Sequence, residues 1–241
     1  MELMKLKKTL LLLLLFINPS LLNCVNDDYI SFLNIGLLKE FNRNFLMNFN
    51  GEYDKYGNSK TNYFHYETGF IYNIVPKHIS TNIHHRIIKY KNPNSNYIQQ
   101  RIYFDLTFSG TLEKLLISNK LGFEHRDAQQ APHIFFLKNQ LKLCYELESS
   151  KDSCIKPYIA DTIYYDVNKR FTHMNRLYLG FLSKHNKNLF VDFYYYLESY
   201  WKRFNINLKY THNFGIQITF YIPEIKDKRI SKIRQLPYSK R

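Results

Sequence analysis

Glycine and proline are scarce in this 241-residue chain, at 8 and 7 residues, and cysteine occurs three times. A collagen-like or low-complexity chain needs far more of the first two, and a disulfide-dense scaffold needs more of the third. Charged residues reach 22% against 45% hydrophobic, a balance that fits neither a disordered tail nor a helical membrane bundle. Beyond the N-terminal segment no run of about 18 apolar residues occurs, so no helical membrane span is expected. No GxGxxG or GxxxxGKS/T loop is present, which leaves nucleotide cofactors without support. The cysteines form no CxxC pair and have no adjacent histidine cluster, so zinc-site spacing is missing too. The length allows one domain, or two small ones.

What is abundant is aromatic. Tyr (21), Phe (19) and Trp (1) fill 17% of the chain, and such residues favour strands over helices. The net charge of +14, with 34 Lys and Arg, makes acidic partners the ones to weigh: nucleic acid, anionic lipid or a polyanionic envelope polymer.

The start reads as a secretory signal over residues 1–24. Lys5, Lys7 and Lys8 form a basic head, residues 9–17 an apolar run, and Asn18, Pro19 and Ser20 a helix-breaking cleavage region. The run is too short to span a bilayer. Leu21, Leu22, Asn23 and Cys24 also resemble a lipoprotein cleavage box, with Cys24 as the lipidated residue. Cys144 and Cys154 bracket a polar turn-like stretch, and in an oxidising compartment they are candidates for a disulfide closing a hairpin.

Alternation is the recurring pattern of the mature chain. Ile102, Phe104, Leu106 and Phe108 share one parity, and Arg101, Tyr103, Asp105, Thr107 and Ser109 the other. Successive side chains of a strand point to opposite faces, so the segment has one apolar and one polar face. The design returns in Phe214 to Ile222, in Leu189 to Glu198, in Lys138 to Leu147 and in Phe45 to Glu52. Polar punctuators at 42–44, 57–62, 76–78, 91–96, 109–111, 127–132, 148–153, 168–170 and 185–188 read as turns. The count comes to eleven strands. Closed bacterial barrels normally have an even number, so the expectation is about 10–12 strands with one misplaced.

Both a soluble sandwich and a membrane barrel permit alternation. Segments of about ten residues fit a tilted membrane strand better than the five or six usual in soluble sheets. Together with the signal segment, this predicts an all-β fold: an antiparallel up-and-down transmembrane β-barrel over residues 25–222, followed by a basic tail, 223–241. The tail carries seven Lys or Arg against two acids and is too polar for lipid. Tyr63, Tyr90, Tyr97, Tyr165, Tyr200, Trp201 and Tyr210 are candidates for interfacial girdles.

On the polar faces Arg101, Lys120, Arg126, Lys138, Lys142 and Arg176 meet Glu52, Asp105, Glu124, Glu146, Asp192 and Glu198. Inside a narrow barrel such charges must pair. The candidate lumen network is Arg101, Asp105, Glu124, Arg126, Lys142, Arg176, Asp192 and Glu198, and it predicts a plugged or constricted lumen rather than a wide ion-selective pore. No catalytic constellation is visible. The nine histidines are scattered, His125 and Glu124 fall on opposite faces, and so do His84 and His85. The basic, aromatic stretch Trp201 to Phe204 sits in a break between strands, where a headgroup-facing loop fits better than a nucleic-acid platform.

Three short motifs carry a resemblance over roughly residues 99–222. They are Glu124-x-Arg126 at a strand end; Pro157 and Tyr158 leading to Asp161, Tyr164 and Tyr165; and Asn175-Arg176 opening Leu177-x-Leu179-Gly180. They resemble an uncharacterised group of bacterial outer-membrane barrels catalogued as domain of unknown function 2490. The resemblance implies export to the outer membrane of a Gram-negative bacterium and contact with its lipid and with small solutes. No residue pattern points to an enzyme activity, a cofactor or a nucleic-acid partner. The family usually has Glu where Asp161 stands, and Asp161 shares its parity with Ile159 and Ile163, against an inward placement. The competing reading is a secreted soluble β protein with a lipid or other hydrophobic ligand in its interior.

Overall fold

The computed structural model describes residues 28–56, 62–91, 96–128, 132–149, 154–202 and 205–224. The expected signal segment, Cys24, Arg203, Phe204 and the tail from 225 onward lie outside the described residues. Every described element is a strand: β1 (Asp28–Asn42), β2 (Phe45–Tyr56), β3 (Asn62–Val75), β4 (Ile79–Lys91), β5 (Asn96–Leu112), β6 (Leu115–Ala128), β7 (Ile134–Tyr145), β8 (Glu148–Ser149), β9 (Cys154–Asp166), β10 (Phe171–Asn186), β11 (Leu189–Lys202) and β12 (Asn205–Ile222). β8 is a two-residue piece that pairs with β9 alone. The other eleven pair in chain order and close into a barrel.

Closure corrects the even-number expectation. Neighbouring strands run antiparallel throughout, but β1 and β12 lie side by side in parallel, with Ile30 opposite Asn213 and Ile35 opposite Ile218. An odd number of up-and-down strands brings the first and last to the seam pointing the same way. The count of eleven therefore stands, and no strand is misplaced. One boundary does move: residues 109–111, expected as a turn, continue β5, and the chain reverses at Glu113 and Lys114 instead, with Glu113 at φ 53°. The left-handed conformation suits the first position of a two-residue hairpin turn.

The period-two pattern becomes two concentric surfaces. Met47, Phe70, Ile83, Phe104, Phe123, Leu137 and Tyr165 stand opposite one another in turn from β2 to β9 and form one continuous outward row. Phe104 and Ile83 are half exposed there, at 52% and 51%. Among the described residues the buried side chains are the reverse of an ordinary core: twelve are polar or charged and eleven hydrophobic, whereas a water-soluble fold buries mainly Ile, Val, Leu and Phe.

The two rims differ. At one rim the strands are joined by tight connections: Arg43 and Asn44, 76–78, Glu113 and Lys114, and Lys187 and Asn188, with the longer 146–153 segment the exception. At the other rim the connections 57–61, 92–95, 129–133 and 167–170 are longer, with the two-residue 203–204 the exception.

Candidate functional site

The barrel encloses a cavity of about 860 Å³ that reaches from mid-height toward the rim of the longer connections, where Tyr90, Tyr200 and Trp201 line it. Six acids, Glu52, Asp54, Glu67, Asp105, Glu124 and Glu198, and six bases, Arg86, Arg101, Lys120, Arg126, Lys138 and Arg176, line it as well. Strand register decides which of them meet.

Arg86, Arg101 and Arg126 are directly opposite one another on β4, β5 and β6. Like charges in that position repel, and two glutamates offset them. Arg86 donates to Glu67 at 2.6 and 2.7 Å. Glu124, only 2% exposed, accepts from Arg126 Nε at 2.5 Å and lies 3.6 Å from Arg101. Around the wall Arg176 donates to Glu198, its cross-strand partner on β11. Its guanidinium also lies 5.2 Å from the ring centres of both Tyr164 and Tyr196, an arrangement in which the ring faces share the cation. Tyr200 adds its hydroxyl to Glu198.

Glycine positions the remaining pair. Asp105, Gly122 and Lys138 face one another on β5, β6 and β7, and Lys138 reaches over the glycine to Asp105 at 3.2 Å. A Cβ on Gly122 would lie 2.2 Å from Asp105 Oδ1 and 2.7 Å from Lys138 Cε. The same device recurs at Gly69, bridged by Asn48 and His84 at 3.5 Å, and at Gly180 between Tyr158 and Tyr194. Gly122→Val is expected to separate Asp105 from Lys138 and to cost about 1–3 kcal/mol by overpacking. Urea unfolding checks this, and a wild-type midpoint would mean that the bridge contributes nothing.

Below the cavity, toward the tight-turn rim, Tyr158 and Tyr194 stand on the inner face with Lys142 and Asp192. Tyr158 donates to both carboxylate oxygens of Asp192 at 3.1 Å, and the Lys142 ammonium sits 3.6 Å from the Tyr158 ring centre. Tyr194 lies over Gly215, where an added Cβ would come within 2.1 Å of the ring. None of these residues lines the cavity; they form its floor.

Of the residues singled out from sequence, Arg101, Asp105, Glu124, Arg126, Arg176 and Glu198 are brought together in the cavity wall, and Lys142 and Asp192 in the floor. Asp161 is exposed on the outer face, where Asn175 donates to it at 2.6 Å. His84 faces the cavity, 3.2 Å from Glu67, while His85 meets Gln100 on the outside.

Two expectations are corrected. Cys144 and Cys154 are free thiols. Cys144 stands opposite Tyr158, four residues beyond Cys154 on β9, so the two are out of step, whereas a disulfide needs Cα atoms within about 7 Å. The girdle loses Tyr63 and Tyr90 to the lumen, where Tyr63 is buried and Tyr90 lines the cavity; Tyr97 stacks on Tyr90 at 4.2 Å and Tyr200 bonds Glu198. Tyr165, Trp201 and Tyr210 are exposed.

Asp54, Glu67 and Arg86 are absent from the sequence-based network, although Asp54 shares the parity of Glu52 on β2. The signal for Glu67 and Arg86 was the parity of His65, Glu67 and Gly69 on β3 and of Asn82, His84 and Arg86 on β4, blurred by tyrosines and histidines on both faces.

Fold and site together define a closed eleven-stranded β-barrel with an apolar exterior and a charge-balanced polar interior. Residues 31–209 match a family described as a protein of unknown function (DUF2490), and the chain belongs to it. No curated protein matches the chain.

Proposed function

We propose that this protein is a bacterial outer-membrane β-barrel, inserted after export, that serves as a structural envelope protein or a narrow, largely plugged pore. The observation that carries the reading is the outward belt of Phe, Leu, Ile and Tyr: among the described residues 36 large apolar or aromatic side chains are exposed. Soluble monomers rarely expose an apolar patch of more than a few hundred Å², whereas a closed barrel with this belt satisfies its backbone internally and meets hydrocarbon. The alternative of a soluble carrier for a hydrophobic ligand calls for an apolar interior, and this one carries twelve ionisable acids and bases.

Short turns face the periplasm in barrels of this kind. That orientation turns the tight-turn rim and the aromatic floor inward and the cavity toward the cell exterior. The floor residues Tyr158, Asp192, Lys142 and Tyr194 are the constriction. Fractionation with a heat-modifiability gel tests the reading. Recovery only with detergent and a band shift on boiling are expected; recovery in a detergent-free soluble fraction overturns it.

A further inference from the structure

The cavity charges are not scattered. All six bases lie on β4, β5, β6, β7 and β10, while β11, β12, β1, β2 and β3 contribute acids only: Glu198, Glu52, Asp54 and Glu67. Where the two halves meet, the charges pair, Arg86 with Glu67 and Arg176 with Glu198. Within the basic half Glu124 holds Arg101 and Arg126, and Asp105 holds Lys138. Removing these pairs leaves Glu52 and Asp54 on β2 and Lys120 on β6.

The three are under-satisfied. Asp54 is 4% exposed; it shares a side-chain hydrogen bond with Glu52, but its Oδ1 has no hydrogen-bond partner, and among the described residues no Lys or Arg lies within ion-pair distance of it. Glu52, two residues away on the same inward face, has Asn34 donating to it at 2.9 Å, and the His65 ring lies 3.5 Å away without a hydrogen bond; neither is Lys or Arg. The buried acceptor Oδ1 of Asn213 in the same half is also without a donor. Lys120 has no ion pair among the described residues, and its nearest acid partner across the strands, Asp105, is engaged by Lys138. Buried polar atoms are ordinarily satisfied, and an unpaired charge in a low-dielectric wall is costly. A ligand that brings one positive and one negative group relieves both walls.

We propose that the cavity binds a small zwitterion, of about the size of an amino acid or dipeptide, with its ammonium at Glu52 and Asp54 and its anionic group at Lys120. The volume of about 860 Å³ is that of a single-ligand pocket. β2 and β6 stand four strands apart in the ring of eleven, nearly opposite, so the two charges are met across the lumen rather than side by side. A metal ion fits less well, because no group of three His, Cys, Asp or Glu is placed to hold one among the described residues. The inference rests on the reading of the lumen as a narrow solute compartment and names the solute class.

The test uses the full folded barrel in detergent, titrated calorimetrically with dialanine, with sodium acetate, methylammonium chloride and N-acetylalanine amide as single-charge and neutral controls. Trp201, the only tryptophan, lines the cavity, so its emission reports where the ligand sits. Saturable dialanine binding with a change in Trp201 emission is expected. Asp54→Asn and Lys120→Gln, both near-isosteric, are expected to weaken it about tenfold or more, while Lys55→Gln on the outer face leaves it unchanged. No binding, equal binding of acetate or methylammonium, or unaltered affinity in both lumen variants overturns the proposal. Band shifts on boiling show that each variant is folded. If the protein proves soluble without detergent, the membrane reading falls, and the same titration in buffer decides this one separately.

Discussion

Glu124→Ala is expected to lower the unfolding free energy of the barrel by about 3–5 kcal/mol, the range for removing one partner from a buried ion pair. The size follows from the arginine row. Arg101 and Arg126 are directly opposed, with Arg86 next in line, and Glu124 is the acid within ion-pair distance of both. The side chains of Arg101, Arg126 and Glu124 are 12%, 17% and 2% exposed, so water screens the resulting repulsion poorly. Removing Arg126 as well should recover part of the loss, because the double variant no longer opposes two unpaired cations. Urea unfolding followed by Trp201 emission measures both. A loss under about 1 kcal/mol, the range of exposed pairs, would mean that the lumen is wet enough to make the network incidental.

Placing an arginine at Phe104 tests the other surface. Phe104→Arg puts a cation in the middle of the outward row, between Ile83 and Phe123. In a bilayer the cost is about 2–4 kcal/mol at the midplane of a membrane barrel. On a water-facing surface the same change falls within about 0.5 kcal/mol. Unfolding in lipid vesicles separates the two, and an unchanged stability there would remove Phe104 from the hydrocarbon.

Strand parity made a good deal of this legible. A period of two assigns each residue to a face without knowledge of its neighbours, which is why Arg101, Asp105, Glu124 and Arg126 could be placed on one wall and Asp161 on the other. Parity also produced the count of eleven; only the borrowed rule of even numbers argued against it. Tyrosine defeated the girdle assignment because its ring suits a lipid interface and its hydroxyl suits a polar lumen. Tyr63 shares its parity with His65 and Glu67, and that was the better guide.

The sequence by itself determined the two faces of each strand, because alternation is a property of a single extended segment. Only the closed tertiary structure decided who meets whom. Registers summed around eleven pairings bring three arginines into line, let Lys138 reach Asp105 across Gly122, and set β1 parallel to β12. They also leave Asp54 and Lys120, on facing walls, without an ion pair among the described residues, since cross-strand neighbours come from distant parts of the chain and no local pattern encodes their distance.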